Sequence, residues 1–218
     1  IANARLAYQL FLEKFSAEAL DLYREINDKE GIVKTLNTLG LKYYTELDYN
    51  KASKLNEEAL EISNEINSKE DKANSLYNLS FPVVNLGDHE RSIALKEEAL
   101  KISREIKNDH LTARVLLSLS VTYSRKTGDI RKAELYSEES LKISRKLNDN
   151  YLISVNLVHL ADLKLYYENK NYEEAEYILL EAYKISKDSG YSMNLFPIWN
   201  HLGGLYTETG KFDQAVNI

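Results

Sequence analysis

A repeat of about forty residues constrains this chain more than any other feature of it. An Ala/Ser-Leu/Tyr pair recurs at Ala19-Leu20, Ala59-Leu60, Ala99-Leu100, Ser140-Leu141 and Ala182-Tyr183, at spacings of 40, 40, 41 and 42 residues. A second column, Leu39-Gly40, Leu79-Ser80, Leu119-Ser120, Leu160-Ala161 and Leu202-Gly203, keeps the same spacings. Two columns that drift together are what repeated units with small loop insertions produce. Each unit holds two turn signals. One set is "ELDYN" (46–50), "NLGDHE" (85–90), "KTGDIR" (126–131), "ENKNYE" (168–173) and "ETGKFD" (208–213); the other runs from "NDKEG" (27–31) to "DSGYS" (188–192). Both are rich in Gly, Asn and Asp, as tight turns require. Between them, stretches of about 14 to 18 residues place apolar side chains at the three-and-four spacing of helices, as at Leu36, Leu39 and Tyr43. No stretch alternates with a period of two, so strands are not expected.

Composition narrows the function classes. Of the 218 residues 44% are apolar and 28% charged, the net charge is -6 and cysteine is absent. Without cysteine there are no disulfides, thiolate zinc sites or cysteine nucleophiles, which fits a cytoplasmic protein. Apolar runs such as "VLLSL" (115–119) fall far short of the roughly 20 residues a bilayer crossing needs, and no signal peptide stands out, so no membrane partner is expected. An acidic chain argues against nucleic acid as a partner. The chain starts at Ile1 and ends "FDQAVNI", which reads as an unfinished helix, so we expect a fragment of a longer protein.

Small residues recur where helices must approach closely: Gly40, Ser80, Ser120, Ala161 and Gly203 on the first helix of each pair, and Ala52, Ser92, Ala133, Ala175 and Ala215 on the second. A single pair cannot bury its apolar stripe, but stacked pairs can. The stretch "NTLGLKYYTELDYNKASKLNEEAL" (37–60), with its Leu-Gly, its aromatic three residues after the Gly, its Asp-Tyr turn and its two alanines, resembles a tetratricopeptide repeat. The units exceed the usual 34 residues, and so resemble the longer-helix subclass of kinesin light chains, Pins-type adaptors and bacterial signalling proteins. HEAT-type repeats share the length but lack the small-residue columns and the Gly-Asp turn. The resemblance implies an all-α fold, an α-solenoid (right-handed superhelix) of antiparallel helix pairs with about five units. One repeat domain would span 1–218: a partial unit over 1–30, full units over 31–70, 71–110, 111–151 and 152–191, and a truncated one over 192–218. No Gly or Asp marks a turn near Tyr8, so residues 1–26 fit the pattern less well.

No constellation points to catalysis. The histidines His89, His110, His159 and His201 make no i, i+4 zinc pattern, and no phosphate loop occurs, so no enzyme, metal or cofactor is expected. The pairs Glu57-Glu58, Glu97-Glu98 and Glu138-Glu139 read as solvated faces, with Glu97-Lys101 and Glu138-Lys142 at i, i+4 spacing. Taking Leu76, Leu79, Ser80 and Val83 as the buried face of one first helix, a helical wheel puts Asn74, Asn78, Phe81 and Asn85 opposite. The tetratricopeptide resemblance implies that such first helices line a peptide-binding groove. A polar row of Thr38, Asn78, Ser118, His159 and His201 would bond a ligand backbone, and an apolar row of Leu41, Phe81 and Val121 would take its hydrophobic side chains. Asn37 joins the candidate set, and Lys34, Arg114 and Arg125 add positive charge, so the expected ligand is acidic and apolar. His159 and His201 share a column on adjacent units, which suits a pH-sensitive contact. Pro82 lies within a first helix, where the wheel places it away from the buried face and predicts a bend. The function expected is protein or peptide binding by a non-catalytic scaffold. The alternative is a peptide-responsive regulatory region of a bacterial signalling enzyme or transcription regulator. Nothing in the sequence fixes the oligomeric state.

Overall fold

A computed structural model describes residues 15–167 and 170–216 of the chain. The readings that fall on residues 1–14, on Glu168 and Asn169, and on the final Asn217 and Ile218 lie outside the described residues. The helices are α1 (described over 15–25), α2 (Lys29–Thr45), α3 (Tyr49–Glu65), α4 (Lys69–Asn85), α5 (His89–Glu105), α6 (Asp109–Thr122), α7 (Ile130–Leu147), α8 (Asn150–Asp162), α9 (Tyr172–Asp188), α10 (Ser192–Glu208) and α11 (Phe212–Val216). Among the described residues there is no strand. Consecutive helices form the expected pairs.

One local device ends each helix and starts the next. Asn27, Leu47, Asn67, Gly87, Lys107, Gly128, Asn148, Lys170, Gly190 and Gly210 all have positive φ. The residue after this left-handed position usually caps the next helix: Asp28, Asp48, Ser68, Asp88, Asp129, Asp149 and Asn171 each accept the backbone N–H three residues on. Asp48 N–H also donates back to Tyr43 and Leu47 N–H to Tyr44, which closes the end of α2. The Asn-Asp and Gly-Asp dipeptides of the sequence are therefore a stop followed by a start.

The drift in repeat length has a structural cause that the sequence did not locate. Nine residues separate Leu79 from the capping Asp88, but ten separate Leu119 from Asp129. In the third unit the extra residue is absorbed as a π-helical turn, Tyr123–Thr127, continuing α6, rather than in the loop as expected. The fourth unit repeats this after α8, over Leu163–Tyr167.

By contacts the chain divides into two compact bodies, split between Asn108 and Asp109. In the N-terminal body Leu20, Ile32, Val33, Leu36, Leu39 and Ala59 form a buried cluster, with Tyr23, Leu55 and Ile62 packed on it. In the C-terminal body the cluster runs through Ile153, Leu157, Leu165, Leu179, Ile198 and Leu202. The small-residue columns mark close approach at most positions. Ser92 Oγ donates to the Ser80 carbonyl (2.8 Å) and Ser120 Oγ to that of Ala133 (2.6 Å), and a Cβ on Gly40 would overlap the Asn56 amide. Gly203 departs from this reading, because nothing lies within contact of a Cβ built there.

Pro82 corrects the wheel. It is buried, and α4 continues past it to Asn85. Three residues beyond Leu79 it lies about 60° around the helix from that fully buried side chain, on the same face. No helix among the described residues is long and apolar enough to cross a membrane.

Candidate ligand-binding face

In the N-terminal body α2 and α4, the first helices of adjacent units, pack side by side and border a cleft of ≈ 510 Å³. Asn37, Thr38, Asn74 and Asn78, named from the sequence, all line it, as does Lys34. The sequence missed its other wall: Ser68, Glu70 and Asp71 from the start of α4, and Glu30 from the start of α2. Their signal was the capping box itself, since a first turn rich in Asp and Glu answers the helix dipole and is easily dismissed as capping. Lys34 Nζ stands 3.9 Å from Glu30 Oε2.

Several of the expected polar side chains already bond within their own helix or to its neighbour. Asn37 Nδ2 donates to Ser75 Oγ on α4 (2.9 Å), Asn74 Nδ2 to the Glu70 carbonyl (3.0 Å), Thr38 Oγ1 to the Lys34 carbonyl (2.9 Å) and Asn85 Nδ2 to the Phe81 carbonyl (2.9 Å). Asn37 Oδ1 is buried without a partner. Of the expected apolar row, Leu41 is exposed at 52%. Phe81 is half-buried, with its ring 4.8 Å from Tyr77 and 5.7 Å from Tyr44. Beneath it lies Lys96, 1% exposed, its Nζ 5.6 Å from the Phe81 ring, and burial lowers its pKa to about 8. The unit before has Asn56 at this position and the unit after Ser137, both also buried.

The corresponding face of the C-terminal body is closed by its own contacts. Arg114, Ser118 and Val121 are half-buried along α6. His159 corrects the polar row: it is 5% exposed, its Nε2 lies 2.8 Å from Ser120 Oγ, and burial lowers its pKa to about 4. His201 Nε2 lies 2.9 Å from Asp162 Oδ1, and Arg125 Nη2 stands 3.9 Å from Asp162 Oδ2. Tyr166 approaches the His201 ring at 6.2 Å. Three of the four histidines thus join neighbouring units, since His110 Nε2 also reaches Asp149 at 3.2 Å. No group of three or more His, Asp or Glu among the described residues could hold a metal ion. Of the paired glutamates Glu97, Glu98 and Glu138 are exposed, as expected, while Glu57, Glu58 and Glu139 are half-buried; Glu57, Glu58 and Glu98 reach across to Arg91, Arg24 and Lys72, surface contacts that contribute little.

Capped helix pairs, repeated with close-packed small residues, define a helical-repeat fold of tetratricopeptide-like form. Residues 71–146 match the tetratricopeptide repeat family model. The chain is similar in structure to BtubC (BKLC) from P. vanneervenii, at 20% identity and a TM-score of 0.78 over 96% of this chain and 85% of that one. It is also similar to the apo form of RapI, at 16% identity and a TM-score of 0.75 over 98% of this chain and 75% of that one. A third likeness is to a Signal Transduction ATPase with Numerous Domains from Pyrococcus horikoshii that has a tetratricopeptide repeat sensor, at 20% identity and a TM-score of 0.70, covering 94% of this chain and 32% of that one. No curated protein matches the chain in sequence. The fold is that of a tetratricopeptide-like repeat array.

Proposed function

We propose that this chain is a non-catalytic module that binds a peptide or protein segment on the α2–α4 face of its N-terminal body. The observation that carries this reading is the ≈ 510 Å³ cleft with Asn37, Thr38, Asn74 and Asn78 along it. Asn78 there makes no hydrogen bond among the described residues, so its amide can pair with a ligand backbone, giving and accepting one bond each. Leu41, exposed on the same helix as Thr38, offers apolar area to a ligand side chain. The C-terminal body contributes less to binding in this reading, because His159, Asp162, His201 and Arg125 already contact each other or Ser120.

A second reading, a regulatory or sensor segment, is favoured by the likeness to the tetratricopeptide repeat sensor of the Pyrococcus horikoshii protein. Both readings need the same ligand face and differ in what the binding event is for.

The test is a titration of the purified chain with pools of blocked, extended peptides, followed by calorimetry. Asn74→Ala combined with Asn78→Ala should abolish the heat of binding while circular dichroism and the urea midpoint stay unchanged. Binding that persists in this folded double variant would place the ligand elsewhere and refute the reading.

A further inference from the structure

We infer that copies of this chain associate head to tail, the α1 helix of one covering the exposed face of α10 on the next. Within the chain a first helix is covered by its own second helix along fixed columns. Val33, Ala73, Ala113 and Ser154 share one column and Leu36, Leu76, Leu116 and Leu157 another, and all are buried. Two contacts show where the cover comes from. Ser140 Oγ of α7 donates to the Ala113 carbonyl of α6 (2.7 Å), and the Asn56 amide of α3 lies against Gly40 of α2. On α10 the same two columns hold Phe196 and Trp199, which are 73% and 39% exposed. Gly203, in the column of Gly40, has nothing within contact of a Cβ built on it.

The complementary half of that interface is on α1. Ala19-Leu20 put this helix in the register of a second helix, and Leu20 packs with Ile32, Val33 and Leu36 of α2, the first helix that follows it. The second helices α3, α7 and α9 each lie between two first helices. Among the described residues α1 packs on one, and its other side is bare. Leu22 is 60% exposed where Ile62, Ile102, Ile143 and Ile185 are buried or half-buried, and Ile26 is 70% exposed where Ile66 and Ile106 are half-buried. Docked on α10 in the register of the other pairs, α1 sets Ala19 against Phe196 and Ser16 against Gly203. These small residues leave room for an aromatic ring where earlier units have Val, Ala or Ser. The receiving copy's α11 does not compete, since Phe212–Val216 stand level with residues 49–53 of α3, and residues 15–25 of α1 with residues 55–65. Burial of Leu22, Ile26, Phe196 and Trp199 favours the contact, and because it uses a different face on each copy it repeats, into a ring or an open series.

The experiment is sedimentation of the purified chain over a concentration series, with the emission of Trp199, the single tryptophan, as a second readout. The average mass should rise with concentration past that of two copies, and the emission should move to shorter wavelength. Leu22→Asp and Trp199→Asp each place a carboxylate in the contact and should weaken it on the order of a hundredfold. Both positions are exposed, so each variant should be a monomer that circular dichroism shows to be folded. Mixed in equal amounts, the two should form a dimer and nothing larger, because one keeps its α1 face and the other its α10 face. Trp199 of the Leu22→Asp chain should then shift as in the wild type. Ile26→Asp with Phe196→Asp should repeat the result. A wild type that stays monomeric at every concentration would overturn the inference. So would a Leu22→Asp or Trp199→Asp chain that still pairs with itself, which places the contact between two like faces, or folded variants that fail to complement each other.

Discussion

Acidification from pH 7 to pH 4 should cost the C-terminal body stability through one side chain, His159. The imidazole is 5% exposed, and burial lowers its pKa to about 4, with Asp162 pulling it up and Arg125 pushing it down. Its protonation geometry is set by a neighbour. The Ser120 hydroxyl hydrogen is directed at the Ala133 carbonyl (2.6 Å), so its oxygen accepts from His159, which places the imidazole hydrogen on Nε2 (2.8 Å). In the unfolded chain the same group titrates near its ordinary value of 6.5. Above that value both states are neutral and pH has no effect through this residue. Between 6.5 and 4 the unfolded state binds a proton that the folded state refuses, so stability falls as pH falls, by about 1.4 kcal/mol per unit. The loss is complete near the folded value and amounts to about 3 kcal/mol.

The assay must separate His159 from the carboxylates that titrate over the same range. His159→Gln keeps an N–H donor for Ser120 and cannot take up a proton, so the difference between wild type and variant isolates the histidine. Urea unfolding at pH 7 and pH 4.5 should show the wild type losing about 2 kcal/mol more than the variant. Hydrogen exchange of the α8 amides should show the same difference locally, which matters because two compact bodies need not unfold together. Equal losses in both proteins would refute the burial argument.

Pro82→Ala should stabilise the protein by about 1 kcal/mol, because relief of a helix-interior proline, about 3 kcal/mol, exceeds the loss of two buried methylenes. A fall in urea midpoint would show that the buried ring matters more than the missing N–H. Lys96→Met should gain about 2 kcal/mol at pH 7, where the buried ammonium is held charged at a cost. That gain should shrink as pH rises from 8 to 10.5, since the folded lysine loses its proton first and wild-type stability climbs over this window; a gain independent of pH would exclude charge burial as the cause. Leu47→Gly should add about 1 kcal/mol by relieving a leucine held at φ 66, read as a rise in melting temperature, and no rise would show that the turn is unstrained.

The parts of this fold that were legible were those written in residue type at a fixed spacing. A left-handed stop followed by an Asx cap favours Gly or Asn and then Asp, so "NDKEG", "NLGDHE" and "KTGDIR" mark their turns; Leu47, Lys107 and Lys170 hold the left-handed position without Gly or Asn, and Asn67, Gly190 and Gly210 hold it with no Asp after them. The inserted residue of the third unit carried no such mark, because a π turn needs no special side chain, and it was misplaced into a loop. The candidate site was legible to a different depth in each body, for a geometric reason. A helical wheel treats one helix at a time and assigns whatever lies off the core face to solvent. First helices of adjacent units pack side by side, so the edges of that stripe are contact zones. Asn37 reaches Ser75, His159 reaches Ser120 and His201 reaches Asp162, spanning 38 or 39 residues in each case. Side chains near the middle of the stripe, Thr38 and Asn78, face the cleft as the wheel expects. His159 shares the column of Asn78, but its longer ring crosses to the neighbouring helix where the asparagine stops short. The length of a polar side chain, set against the gap between adjacent helices, therefore decides whether a position in this column binds a ligand or fastens one unit to the next.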